Sequence, residues 1–190
     1  AINVSYPRLQ MYGVWWSSAE PDVLPAEMAA KGYNGIALGH SAEKDSPVHK
    51  DMVKFLYEKG KGTAAKKEEV GSVLYNRGML SAMLVIESIK AAQAKTKKKV
   101  VSAEDVRWGA ENLNLDAAKI KAIGFEGLMQ PLKTSCRDHE GVRKGRIHTW
   151  DGTNWSYTSD WYEADQKFLR PMIEEQAKAY AAERKITARD

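Results

Sequence analysis

The chain has 190 residues, of which 43% are hydrophobic and 28% are charged. A chain of this length buries a proper core, either as one domain or as two small lobes. The composition excludes a disordered tail, and no apolar run is long enough to cross a bilayer. The formal net charge of +4 comes from lysine clusters that flank predicted helices, and a solvated surface is the simplest interpretation of those clusters.

Cys136 is the single cysteine, which excludes an internal disulfide framework and a multi-cysteine metal site within these residues. The first residues lack the charged n-region, the apolar h-region and the cleavage site of a signal peptide. Two interpretations stay open: a cytoplasmic protein, or an exported protein whose leader is not part of this chain.

The first sixty residues predict one β-α-β unit and then a further helix. Strands are predicted over 9–16 and 34–38, with a helix over 24–31 between them. Such a unit is the building block of parallel sheets covered by helices. The next helix is predicted from the N-cap Ser46 to a stop at Gly60.

The middle of the chain predicts helices. Residues 70–74 are predicted to form a short strand or an extended approach to a long helix over 77–94, whose wide apolar face indicates core packing. Two shorter helices are predicted from their caps: one over 106–112 after the capping box of Ser102 and Asp105, and one that Asp116 caps and that ends at Gly124.

From Gly127 onward the pattern changes to β. Strands are predicted over 128–134, 142–150 and 154–158, and Asp-Gly at 151–152 is a strong hairpin signal between the last two. The chain is then predicted to end in an amphipathic helix after a capping pattern at Asp160 and Glu163, with a kink or break near Arg170 because Pro171 lies inside it.

One short segment combines side chains that could carry out chemistry. Cys136, Asp138, His139 and Glu140 bring a thiol, an imidazole and two carboxylates within five residues. Adjacent strand residues point to opposite faces, so a turn at residues 140–141 is the simpler interpretation, and an enzyme that uses Cys136 and His139 is a weaker option. The usual hydrolase, nucleotide and dinucleotide motifs are missing, so the residues give an enzyme no positive support.

Histidines and aromatic residues favour no further chemistry. His40, His49 and His148 lie in three separate predicted elements without partners at ligand spacing, and we interpret them as surface or capping residues. The tryptophans and tyrosines lie in predicted strands and core faces and are not interleaved with the basic runs, which argues against nucleic-acid binding.

Residues 13–22 are the most informative stretch, because a short apolar run ends there in two tryptophans and a polar turn. In open α/β sheets, ligands bind in the crevice outside the carboxyl ends of the strands, where Trp15 and Trp16 would line it. The alternative is that both indoles cap the core while Glu20 and Asp22 begin a helix.

Six segments, in this order and spacing, resemble the branched-chain amino acid type of periplasmic substrate-binding protein, a component of ABC importers. The resemblance runs over nearly all 190 positions and covers the C-terminal half of such a protein. The segments are Gly13-Val-Trp-Trp-Ser-Ser-Ala-Glu-Pro-Asp-Val, Ala30-Lys-Gly-Tyr-Asn-Gly, Val70-Gly-Ser-Val-Leu-Tyr-Asn-Arg-Gly, Val106-Arg-Trp-Gly-Ala-Glu-Asn-Leu, Ser135-Cys-Arg-Asp-His-Glu-Gly and Trp150-Asp-Gly.

The resemblance implies an α/β fold of the type I periplasmic-binding-protein class. It implies portions of two doubly wound lobes, with a β-hairpin region and a C-terminal helix. Residues 1–39 and 132–190 would belong to one lobe (lobe 2) and residues 40–131 to the other (lobe 1). The N-terminal half of the family fold, with a signal peptide for export to the periplasm, would lie outside this chain.

The resemblance also implies a function without catalysis. The protein would be the solute-binding component of an ABC import system and would capture a small ligand by closure of its lobes. Its partners would be that ligand and the permease in the membrane, with no cofactor, metal or nucleic acid and no membrane insertion of its own. The alternative is a ligand-sensing regulator or receptor domain with the same clamp fold.

The same resemblance implies a set of ligand-binding residues. Trp15 and Trp16 occupy the positions where amino-acid-binding relatives place an acidic group, and Glu20 would meet a ligand cation or begin a helix. Tyr75 matches an aromatic position of the other lobe, and Arg77 would pair with a ligand carboxylate or with a neighbouring acid. Together they favour an aromatic or apolar carboxylate, or a ligand like a branched-chain amino acid.

Overall fold

The computed structural model describes residues 5–6, 8–39, 42–64 and 66–187. The described part of the chain forms two small sheets and the helices around them. The strands are Tyr12–Gly13 (β1), Asn34–Ala37 (β2), Asn114–Leu115 (β3), Leu132–Lys133 (β4), Lys144–Trp150 (β5), Trp155–Tyr157 (β6) and Tyr162–Glu163 (β7). The α-helices are Glu20–Val23 (α1), Pro47–Met52 (α2), Val73–Thr96 (α3), Ala103–Ala110 (α4), Ala117–Ala122 (α5) and Gln166–Arg184 (α6).

The larger sheet has the order β1-β2-β5-β6, and β7 also pairs with β5. Its β1–β2 pair is parallel, with Tyr12 opposite Asn34, which confirms the parallel arrangement of the two predicted strands. The other pairs of this sheet are antiparallel. The smaller sheet is the antiparallel pair β3–β4, with Leu115 opposite Leu132.

The predicted strand over 9–16 is wrong beyond β1. After Val14 the chain forms a 3₁₀ turn over Trp15–Ser17. The Ser17 backbone N–H and the Ser18 hydroxyl both donate to the Val14 carbonyl, at 2.9 and 2.7 Å, which closes the turn. Serine side chains compete in this way with the regular pairing of the backbone.

The predicted helix over 24–31 is also wrong. An α-helix, α1, begins four residues earlier, where Asp22 accepts a hydrogen bond from the Ala19 N–H at 2.9 Å. The segment Leu24–Ala30 then consists of 3₁₀ turns interrupted at Glu27, whose φ is +48°. Pro25 contributes to this break because it has no N–H to donate to the preceding turn.

The middle helices were predicted well. The helix after Ser46 runs over α2 and continues as a π turn over Val53–Tyr57. The strand or extended segment predicted over 70–74 is wrong, because a 3₁₀ turn over Lys67–Glu69 and a turn at Gly71, whose φ is +87°, lead into α3, which begins at Val73. The capping box of Ser102 and Asp105 begins α4 as predicted. Asp116 caps α5 through the Lys119 N–H at 2.8 Å.

The C-terminal elements differ from the predictions in two places. Of the strand predicted over 128–134, only β4 forms. The hairpin is confirmed, with Trp150 opposite Trp155. The final helix is capped by Asp165, which accepts from the Lys167 and Phe168 N–H groups, and not by the pattern at residues 160–163; it runs on through Pro171 without a break.

Two apolar clusters form the core. The first lies on the larger sheet and joins Ala19, Val23, Ala30, Val73, Trp150 and Trp155. The second lies by the smaller sheet and joins Met83, Leu115, Ile120, Phe125 and Leu128. Helix α3 contributes to both, with Val73 in the first and Met83 in the second.

Candidate functional site

A cleft of 1390 Å³ opens beside the start of α3. One wall comes from the larger sheet and the segment around α1, with Glu20, Trp150 and Trp155. The opposite wall comes from the helical middle of the chain, with Ser46 and Tyr75. The cleft therefore lies between two parts of the chain that are far apart in sequence.

Tyr75 lines this cleft, as its predicted role in ligand binding requires. Its hydroxyl lies 3.2 Å from the Tyr57 hydroxyl and donates to the Met52 sulfur at 3.8 Å. Burial, followed by the hydrogen bond with Tyr57, raises the pKa of Tyr75 to about 12. At neutral pH this wall therefore presents an uncharged phenol.

Glu20 also lines the cleft, but its carboxylate is engaged with the protein. Its two oxygens accept from the Val73 backbone N–H at 3.1 and 3.2 Å. Val73 is the first residue of α3, so Glu20 satisfies a backbone donor that the helix leaves open and stabilises the helix dipole. Glu20 begins α1 as well, in line with the alternative interpretation of this residue.

The residues that line the cleft do not include Trp15, Trp16 or Arg77. The Arg77 guanidinium donates to the Trp15 carbonyl at 2.6 Å and stacks on the Trp15 ring with 4.2 Å between Cζ and the ring centroid. Burial lowers the pKa of Arg77, and the nearby carboxylates of residues 22 and 20 oppose that shift. Trp16 is 77% exposed and meets Trp15 edge-on at 4.5 Å.

A buried hydrogen-bond network supports the wall around Ser46. The His49 ring bonds the Ser46 hydroxyl through Nδ1 and the Asn76 amide oxygen through Nε2, both at 2.7 Å. The Asn76 amide nitrogen donates to the Glu43 and Gly71 carbonyls at 3.0 and 3.1 Å. This network ties the loop before α2 to the first turn of α3.

The interpretation of the histidines as surface or capping residues is wrong for His148, which is 1% exposed. His49 is also buried, at 2%, but its ring bonds the side chain of Ser46, the N-cap of α2. His148 stacks on Trp155 with 4.1 Å between the ring centroids, on the buried face of β5 and β6. His40 lies outside the described residues.

Trp150 and Trp155 also line the cleft, although they are 2% and 7% exposed and belong to the first apolar cluster. Trp150 and Trp155 face each other across the hairpin with 5.4 Å between the ring centroids. The available signal was the Asp-Gly turn between two tryptophans, which predicts that both rings lie on one face of the hairpin. That face was assigned to the core and not to a site.

The charge of the cleft is predominantly negative. Desolvation raises the pKa of Glu43, and the opposing attraction of Arg146 and then His49 is smaller. Against two lysines, Lys44 and Lys66, the lining carries six carboxylates: Glu20, Glu43, Asp45, Glu68, Glu69 and Glu126. Lys44 donates to the Glu68 carbonyl at 3.1 Å.

The cluster after Cys136 forms ion pairs. The Asp138 carboxylate pairs with Arg143 and lies 3.7 Å from Arg170. His139 is exposed and lies 3.6 Å from Glu111. Within the described ranges, no three His, Cys, Asp or Glu residues are grouped so that they could hold a metal ion.

None of the helices in the described part of the chain has the length and apolar character that a bilayer crossing requires. No protein-family model and no curated protein matches the chain.

Solved structures do match the chain. One, described as an ABC transporter permease from the Pseudomonas fluorescens group, is 42% identical with a TM-score of 0.88, over 94% of this chain and 43% of that one. A branched-chain amino acid ABC transporter protein from Thermus thermophilus with bound valine is 18% identical with a TM-score of 0.66, over 87% of this chain and 43% of that one. A fatty acid ABC transporter substrate-binding protein from Thermomonospora curvata is 16% identical with a TM-score of 0.51, over 86% of this chain and 39% of that one.

The chain thus spans less than half the length of each of these structures. The matches confirm the resemblance that the sequence indicated: the chain has the type I periplasmic-binding-protein-like fold of ABC transporter substrate-binding proteins, over about half the length of such a protein.

Proposed function

We propose that the full-length protein is the solute-binding component of an ABC import system and captures a small ligand by closing two lobes over it. The observation that carries this proposal is the cleft, because its two walls come from the larger sheet and from the helical middle of the chain. A ligand that contacts both walls binds the closed state better and shifts the population toward it.

The lobe assignment is part of this proposal. Residues 1–39 and 132–190 would form one lobe and residues 40–131 the other. The two separate sheets support it, although β4 at residues 132–133 pairs with β3 and therefore lies with the sheet of lobe 1. The periplasm as the location and a membrane permease as the partner are proposed from the same resemblance.

The cleft favours a ligand that carries an ammonium group and an apolar part. Carboxylates outnumber lysines in the lining, which favours an ammonium group, and the exposed side chains of Leu24 and Leu74 give the lining apolar surface. Arg77, the residue predicted to bind a ligand carboxylate, already contacts Trp15. A ligand like a branched-chain amino acid fits this lining better than an aromatic or apolar carboxylate without an amine.

Calorimetry on the full-length protein tests the proposal with matched pairs of compounds: L-valine against 3-methylbutanoate, and L-phenylalanine against 3-phenylpropanoate. We expect an amino compound to bind at least about tenfold more tightly than its deaminated analogue, about 1.4 kcal/mol. Tighter binding of the carboxylates would reverse the proposed ligand class. No binding by any of them, together with no small molecule that copurifies by mass spectrometry, would contradict the solute-binding role.

Substitutions at the cleft test its lining. Tyr75→Ala is expected to weaken binding strongly while the melting temperature stays near that of the wild type, and Tyr75→Phe separates the contribution of the ring from that of the hydroxyl.

Trp15 and Trp16 remain predicted ligand contacts. Trp16→Ala is the variant least expected to disturb the fold, because Trp16 is 77% exposed. Unchanged affinity in a variant would remove that residue from the site.

A further inference from the structure

Glu20 and Arg77 both connect the segment after β1 with the first turns of α3. We infer that these two side chains form a bridge beside the cleft, which holds the two parts of the chain together before any ligand binds. They would then be positioning residues for ligand capture and not ligand contacts. The inference rests on the proposed function, because the bridge acts on ligand binding only if the two walls belong to lobes that move.

The Glu20 half of the bridge acts on the backbone of α3. Both carboxylate oxygens lie within 3.2 Å of the Val73 nitrogen, at the N-terminus of a helix of 24 residues. The Ser72 hydroxyl already accepts from the Tyr75 N–H at 3.4 Å, so Glu20 supplies a second acceptor at this helix start. Because that acceptor is charged and comes from a different part of the chain, it links the two parts.

The Arg77 half acts in the opposite direction, from α3 to the segment after β1. One guanidinium nitrogen donates to the Trp15 carbonyl, and the planar group stacks on the Trp15 ring. A lysine could keep the charge but not both contacts, because its ammonium has no plane to stack. The carbonyl that accepts from Arg77 lies 62 residues away in sequence.

The two halves form one patch of α3. Val73 and Arg77 are four residues apart, and residues at this spacing lie on the same face of a helix. Val73 is also 1% exposed and packs in the first apolar cluster with Val23 and Trp150. A change of either bridge residue therefore loosens one contact region, and the population of open molecules should rise.

The experiment uses the full-length protein with Glu20→Gln and Arg77→Lys. The control for the first is Glu104→Gln, which removes a carboxylate that is 77% exposed and lies outside the cleft lining, and the control for the second is Arg107→Lys on the exposed side of α4. Small-angle scattering without ligand reports how open the protein is. Hydrogen exchange of the peptide that contains Val73 reports the Glu20 contact, and calorimetry with L-valine reports capture.

We expect a larger ligand-free radius of gyration in both variants, and faster exchange at Val73 in Glu20→Gln. The affinity for L-valine should fall about tenfold. If fewer ligand-free molecules are in the state that binds, the apparent affinity falls in proportion to that fraction. The radius with saturating L-valine should equal that of the wild type, and the controls should not change.

Two outcomes overturn the bridge. One is an unchanged ligand-free radius with unchanged exchange. The other is an unchanged radius with strongly weakened L-valine binding, which would make the residues direct ligand contacts and leave the proposed function intact. Conversely, a larger ligand-free radius in both variants, with no compound bound by the wild type, would support the bridge while the proposed function fails.

Discussion

Acidic side chains at helix starts illustrate what single residues do in this chain. Asp116 and Asp165 accept hydrogen bonds from backbone N–H groups two or three residues further on, and Asp105 accepts one from the Ser102 N–H three residues earlier. These contacts are local, so the spacing of Ser102 and Asp105 was enough to predict one of them. Glu20 caps a helix that begins 53 residues later, and no local pattern reveals such a contact.

Asp105 gives a prediction about pH. Hydrogen bonds from the Ser102 backbone and then from its side chain lower the pKa of Asp105 below the ordinary value of 3.8. A carboxyl whose pKa is depressed in the folded state stabilises the fold above its unfolded pKa, and that stabilisation is lost as pH falls through the folded pKa. The stabilising effect should therefore be complete at neutral pH.

We expect Asp105→Ala to lower the melting temperature of the protein at neutral pH, and we expect the difference from the wild type to shrink as pH falls below about 3.8. Differential scanning calorimetry across that range measures it. The control is Glu104→Ala, which removes an exposed carboxylate whose partner is the Arg107 side chain and not the backbone. A difference that persists unchanged at low pH would show that Asp105 acts without its charge.

At the scale of elements, the close packing of α3 and α4 depends on a glycine. A Cβ on Gly109 would collide with the Ser88 carbonyl oxygen and lie 3.3 Å from the Ala92 nitrogen. Gly78, in the interior of α3, has no atom within 4 Å of such a Cβ. Substitution by alanine is therefore expected to have opposite effects on stability at the two glycines.

We expect Gly109→Ala to destabilise the protein by about 2 kcal/mol, because backbone atoms of α3 would have to move. Gly78→Ala should instead stabilise it by about 0.5–1 kcal/mol, since alanine loses less backbone entropy in a helix. Urea denaturation measures both. If Gly109→Ala were as stable as the wild type, the two helices would not be packed as described.

Helices were predicted better than strands for a physical reason. The signals that begin and end α4 and α5 are caps within a few residues, and helix hydrogen bonds are local. A strand exists only where a partner accepts its hydrogen bonds, and β1 and β4 have two paired residues each. Extended segments were predicted at both places, but the residues where strand pairing ends depend on the partner strand and cannot be inferred from the local sequence.

At the scale of the whole molecule, the sequence predicted the fold class and the shortage of strands together. One β-α-β unit cannot make a doubly wound sheet, and the solved structures that match the chain are more than twice as long. The cleft was only half predicted. Tyr75, a predicted ligand contact, lines the cleft, whereas Arg77, also predicted, donates to the Trp15 carbonyl. That contact depends on tertiary structure, which a local pattern does not reveal.

Helix α6 has an apolar side that the described residues leave uncovered. Phe168 is 66% exposed, and Met172, Ile173 and Tyr180 continue its stripe at helical spacing. An exposed stripe of this size on a 19-residue helix marks a contact surface. The solved structures that match the chain are more than twice as long, and under the proposed function we expect the half of the family fold that these residues do not supply to pack on this face.

Phe168→Ala in the full-length protein tests that expectation. A phenylalanine buried by the remaining part of the fold should cost about 3 kcal/mol or more when truncated, whereas one that stays exposed should cost less than about 0.5 kcal/mol. Urea denaturation measures the free energy of unfolding, with Glu175→Ala on the same helix as the control. A cost as small as that of the control would mean that α6 keeps this face open to solvent in the complete protein, free for a contact with another molecule.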